Sequence, residues 1–218
     1  QEIIESRVLS TKLLFQYLAK NSHQVTHIIS ASAIGIYPHS FDVVYNESHL
    51  EVDESFLGSV VAKWEDEVNA FERLGIKVTK IRIGIVLAKK GGALQEMVKP
   101  IKMGLGAAFG SGEQYQSWIH IQDLAQIFYF IMQYQYEGVF NAVSPYPVTN
   151  NEMTKAIGKV LEKPIFLPNI PKFIMKILLG EMHEILFLSQ HVSARKLLDK
   201  GFQFRYASLD KALVNLLK

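Results

Sequence analysis

A chain of 218 residues, 49% hydrophobic and 20% charged, has the composition of a folded globular protein with one good core, which excludes disorder. Its 23 basic and 21 acidic side chains are interspersed, so no stripe exists for a phosphate backbone and nucleic acid is not an expected partner. With no cysteine there is neither a disulfide framework nor a thiolate metal site, which fits a reducing cytoplasm, and no apolar run reaches the length that crosses a bilayer.

Residues 1–20 carry Ile3, Ile4, Val8, Leu9, Leu13, Leu14 and Leu18 at helical spacing, a helix with one buried stripe and no strand before it. The chain opens at Gln1 in what reads as mid-fold, so the expectation is that the natural protein begins earlier. Residues 25–30 read as a buried strand running into small residues, 38–57 as a polar surface excursion, and 59–74 as a helix closed by Gly75. Residues 77–87 become continuously apolar, as a central parallel strand does.

After the turn at Gly91-Gly92 come a short helix over 93–103, a glycine-rich loop, a strand over 117–121, a helix over 123–135 and a strand over 138–142. Thr149 with Glu152 makes a capping box for a helix to about Leu161, and helices are expected over 171–179, 189–199 and 208–217. Phe173, Met175 and Ile177 read by default as a satellite core there. The fold class is therefore α/β: a doubly wound Rossmann-like parallel sheet with its N-terminal half truncated, over 1–163, and a small mainly helical C-terminal lobe over 164–218.

Chemistry is suggested by a strand-end serine, Ser32, followed by a helical lysine, Lys63. A hydride leaves a secondary alcohol only as its proton is removed, so such sites need a hydroxyl to orient the substrate and a cation beside the base. Taken singly, Ser32 is a turn residue and Lys63 a solvated one. Their order and separation favour the functional reading.

The runs Ser30-Ala31-Ser32-Ala33-Ile34-Gly35-Ile36-Tyr37, Ala62-Lys63-Trp64-Glu65, Ile81-Arg82-Ile83-Gly84-Ile85-Val86-Leu87 and Trp118-Ile119-His120-Ile121-Gln122-Asp123 resemble the extended short-chain dehydrogenase/reductase enzymes. Within them the likeness is to the atypical branch of epimerase-family proteins, of the NAD-dependent epimerase/dehydratase kind, with a small helical C-terminal domain. The resemblance implies that Ser32 orients the substrate, that Lys63 binds the nicotinamide ribose, and that Ser30, Ala31, Gly84, Ile85 and Val86 line the nicotinamide end of NAD or NADP. It also implies a nucleotide-sugar-like substrate and a homodimer. Three departures stand out: Ser59 where relatives carry tyrosine, Arg7 where many carry asparagine, and no G-x-x-G-x-x-G phosphate loop. A serine alcohol is a far poorer acid than a phenol of pKa about 10, so the proton acceptor is left unassigned.

Arg7, Tyr37, Gln114 and Tyr115 are the substrate-binding candidates, the guanidinium and amide for an anionic group and the phenols as replacements for the missing tyrosine. Surface ion pairing, packing and loop anchoring are the competing roles. His120 and Asp123 read as a structural turn with Asp123 near a helix N-cap, and no metal is expected. Two functions follow: an NAD(P)-dependent oxidoreductase or epimerase working by reversible hydride transfer, or, because of Ser59, a dinucleotide-binding sensor or assembly factor without turnover. A plain interaction module is the third reading.

Overall fold

The structure is a computed structural model that describes residues 5–218. Ile3 and Ile4, expected on the first helix, lie outside the described residues. A π-turn over Glu5–Leu9 leads into α1 (Ser10–Lys20), whose apolar face is less covered than its spacing predicts. Val8 and Leu18 are buried, but Leu9, Leu13, Leu14 and Tyr17 are exposed.

The strands that position the site are β1 (His27–Ala33), β3 (Lys77–Ile83) and β7 (Gly138–Ala142), paired in parallel in the order β1-β3-β7. The short β2 (Val44–Tyr45) interrupts the excursion after β1, and α2 (Phe56–Asn69) crosses from β1 to β3. Ser55 starts α2 by accepting Gly58 N at 3.3 Å, and a 3-10 turn ends at Gly75, whose φ of 72° is the left-handed conformation that glycine adopts freely. The expected strand over 77–87 is divided at Gly84, where the chain leaves β3 and becomes β4 (Ile85–Leu87).

After α3 (Gly92–Lys102) come β5 (Tyr115–Gln116) and β6 (Trp118–His120), and β6 pairs in parallel with β4. Then α4 (Ile121–Tyr134) leads to β7. His120 caps α4 by accepting Gln122 N at 3.0 Å, with Asp123 in the first turn near this N-cap, as expected. The Asp123 carboxylate is occupied elsewhere, accepting the backbone N–H groups of Arg205 and Tyr206. Next, β8 (Val148–Thr149) runs into α5 (Asn150–Val160), where the capping box forms: Thr149 Oγ1 accepts Glu152 N and Glu152 accepts Thr149 N. Thr149→Ala is expected to cost about 1 kcal/mol, measured as a shift in the urea midpoint.

In the C-terminal region α6 (Lys172–Leu179) leaves Phe173 and Ile177 exposed and buries Met175, so the first two are not the satellite core expected of them. The helix expected over 189–199 is a strand followed by a shorter helix: β9 (His191–Val192) pairs with β2, and α7 covers Arg195–Asp199. Tertiary hydrogen bonds override helix propensity here. Ser193 N donates to Tyr45 O and Val192 N to Ser117 Oγ, which fixes the segment as extended backbone.

The closing helix α8 (Leu209–Leu217) buries Leu213 and Leu216 in one cluster with Leu94 and Val98 of α3 and Met153 and Ile157 of α5. On the sheet, Ile81 and Phe140 share a second cluster with Ile127 of α4 and with Leu197 and Phe202. The residues after 163 thus complete cores begun by the residues before it. On the opposite face, Val68, Phe71 and Val78 pack with Leu18 of α1.

Candidate functional site

The parallel register sets Ser32 beside Arg82 and Arg82 beside Asn141, one residue from each strand of the sheet at one level. All three are buried and polar. Strand alternation turns Ser32 to the same face as Ile28 and Ser30, the face covered by α2. Glu65 of α2 meets them because it lies on that helix's buried stripe with Gly58, Val61 and Val68.

Ser32 Oγ donates to Glu65 Oε1 at 2.6 Å, while Arg82 grips the carboxylate from two nitrogens, Nε to Oε1 and Nη2 to Oε2, each at 2.9 Å. Arg82 Nη1 donates to the Tyr37 hydroxyl at 3.0 Å, which donates in turn to Asn141 Oδ1 at 2.9 Å. Lys80 Nζ stands 3.7 Å from Glu65 Oε2. Burial alone would raise the Glu65 carboxyl, but the bonds and charge of Arg82, with Ser32 and Lys80, hold it below the ordinary glutamate value. For the Tyr37 phenol burial wins over Arg82 and pushes it up. A cavity of about 290 Å³ opens over this network between α2, Val139 and residues 47–52.

Ligands of open α/β sheets bind beyond the carboxyl ends of the strands. At that edge Gly84, Ile85 and Val86 are half-buried, as are Ser30 and Ala31 at the end of β1. Gly84 has no room for a side chain, since a Cβ would lie 2.3 Å from Ser117 O, the carbonyl that accepts Ile85 N at 2.8 Å. Ser117 also ties a strap across this edge: its hydroxyl donates to Gln190 O at 2.7 Å and accepts Val192 N at 2.9 Å, gripping the backbone on both sides of His191. The strap is held further where Gln190 Nε2 donates to Tyr37 O and Tyr115 N donates to Ser189 Oγ. Gln190 and Val192 face inward, and the half-buried His191 ring turns the other way onto Tyr115, with centroids 4.5 Å apart.

Of the residues singled out from sequence, Ser32 is sealed against Glu65, whereas Lys63 is exposed on α2 with no hydrogen bond or ion pair to a described residue. No hydrogen bond joins the two. Ser59 Oγ donates to Phe56 O within its own helix. Arg7 lies over the Trp64 ring at 5.3 Å, Tyr37 is fully buried, and Gln114 anchors its loop by donating to Phe109 O and Leu186 O. Their side chains are thus taken up in packing or structural bonds. Tyr115 is half-buried beside the strap. Sequence reasoning missed Glu65 and His191. Glu65 was marked by its place on an apolar stripe, facing an arginine in an apolar strand. His191 carried no such signal, because its neighbours read as helix.

Residues 170–216 match the family described as a domain of unknown function, DUF1731. Over its whole length the chain is 34% identical to an epimerase family protein of Staphylococcus aureus, spanning 73% of that protein. The chain belongs to the epimerase family. Among solved structures, a human epimerase family protein crystallised with NADPH superposes on 98% of this family member with a TM-score of 0.89 and 30% identity, 72% of the human chain being covered. A nucleoside-diphosphate sugar epimerase from Corynebacterium glutamicum gives 0.81 and 33% over 99% of this epimerase-family chain and 42% of its own. The Rossmann-type α/β fold of this epimerase-family protein agrees with the sheet order and with these neighbours.

Proposed function

We propose that this epimerase-family protein is an NAD(P)-dependent oxidoreductase or epimerase that works by reversible hydride transfer on a nucleotide-sugar-like substrate. The observation that carries the reading is the match along nearly the whole chain to a human family member whose structure holds NADPH. The residues present suit the nicotinamide end of such a cofactor: half-buried backbone at Ser30, Ala31 and Gly84 to Val86, and an ammonium on α2 that no described residue engages. The diphosphate-binding glycine pattern is not among the 218 residues. When bound, the dinucleotide supplies a hydride acceptor or donor.

In this reading Lys63 holds the ribose hydroxyls, and Gly84 to Val86 give backbone contacts beside the nicotinamide. Ser32 orients a substrate oxygen only by releasing Glu65; with that bond kept, it fastens α2, and so Lys63, to β1. Tyr115 at the sheet edge is the substrate-facing phenol. Arg7, Tyr37 and Gln114 act at a distance, by holding Trp64, Arg82 and the glycine-rich loop.

Titration calorimetry with NADH and NADPH, on the protein in its longest natural form, tests the binding half. Lys63→Met is expected to weaken the preferred dinucleotide about 10- to 100-fold through loss of a charged hydrogen bond. Absorbance of the reduced nicotinamide across a panel of nucleotide sugars tests the redox half. No affinity for either dinucleotide would overturn the reading in favour of an interaction module.

One observation favours the second reading, a dinucleotide-binding sensor or assembly factor. At the position of the usual tyrosine stands Ser59, its hydroxyl donating to a backbone carbonyl. Binding without any redox change across the panel is the result that reading expects.

A further inference from the structure

The reaction proposed above needs a base, and neither Ser59 nor Tyr37 can serve: one is an aliphatic alcohol, and the other is sealed between Arg82 and Asn141. The strap across the carboxyl edge offers another group. Ser117 links the two sides of this edge, its carbonyl accepting Ile85 N next to Gly84 and its hydroxyl clamping the backbone before and after His191. His191 is therefore fixed close to the backbone assigned to the nicotinamide end. Because Gln190 and Val192 face the core, the intervening imidazole is turned outward, half-buried against Tyr115.

Among the histidines whose side chains are described, hydrogen bonding sets this ring apart. His23, His27, His39, His49 and His120 each have a ring nitrogen engaged by a backbone or side-chain partner. Neither nitrogen of His191 hydrogen-bonds a described residue. Burial lowers its pKa below the ordinary histidine value, and no charged side chain contributes to that shift, so the ring is neutral and able to accept a proton near pH 7.

We propose that His191 is the general base of this protein, taking the proton of the substrate alcohol in place of the missing tyrosine. This rests on the reading under Proposed function. In the oxidative direction the C–H bond of the carbinol carbon breaks and its electron pair leaves as hydride to the oxidised nicotinamide. The hydroxyl proton passes to a ring nitrogen of His191, and the oxygen's pair forms the carbonyl; the return step reverses both transfers. Tyr115 keeps the ring oriented by its tilted ring contact, and Ser117 fixes the backbone that carries it.

The test pairs activity with two readouts independent of turnover: dinucleotide affinity by calorimetry and the His191 ring resonances by NMR. His191→Gln is expected to lower turnover about 100- to 10,000-fold, with dinucleotide affinity unchanged, and His191→Ala to regain activity with added imidazole. In the unmodified protein the His191 resonance should titrate below the ordinary histidine value and move when a nucleotide sugar is added. Turnover of His191→Gln within about twofold of the parent, with dinucleotide affinity retained, would overturn the base and leave the enzyme reading standing. Loss of dinucleotide affinity along with turnover, or a ring resonance that the sugar nucleotide does not move, would also overturn it. Dinucleotide binding with no turnover in the parent would overturn both the base and the enzyme reading.

Discussion

Glu65→Ala is expected to destabilise the protein by about 3–5 kcal/mol, because it leaves the buried Arg82 guanidinium without its counter-charge. Urea denaturation measures the loss. The same change frees the Ser32 hydroxyl and unfastens α2 from β1, so dinucleotide affinity should fall with stability. A double replacement, Glu65→Leu with Arg82→Met, should be less damaging than either single change, since it removes both charges together. If the two single costs simply added, the carboxylate and guanidinium would not be acting as a unit.

Glu65 also sets an acid limit. Its folded pKa lies below the ordinary glutamate value, so the unfolded chain binds the extra proton first as pH falls. The stabilisation is fully present above the ordinary glutamate range and is lost as pH descends through it toward the depressed folded value. Glu65→Gln should flatten this part of the stability profile. An unchanged slope would show that other carboxylates govern acid unfolding.

Gly84→Ala is the second large effect, expected to cost about 1–3 kcal/mol or more. The new methyl group would meet Ser117 O at 2.3 Å and Val143 Cγ1 at 2.8 Å, and backbone cannot yield as a side-chain tip does. Relief requires β6 to move from β4, which strains the Ile85–Ser117 bond and the clamp on the strap. Thermal unfolding should report the loss, and the His191 NMR signal should shift. A fully stable variant with an unmoved His191 signal would show that the edge is not held as described.

Much of the sheet was readable because its signals are local. Val78, Ile81, Ile83 and Ile85 declare a central strand, and Thr149 with Glu152 declares a helix start. The strap was hidden because its conformation is dictated by Tyr45 and Ser117, distant in sequence, while its own residues read as helix. Ser32 shows a subtler limit. Its place at a strand end was correct, but its direction depends on the period of two counted from Ile28, and its partner Glu65 lies 33 positions away. Lys63 was legible as a helical cation, yet what it touches is a matter of tertiary geometry alone.

The stretch 170–216, matched as a family of its own, supplies Leu197, Phe202, Leu213 and Leu216 to walls whose other halves come from α3, α4, α5 and the sheet. Such a segment is not a portable module. Cut out and expressed by itself, it would present those side chains to water with nothing to seat against.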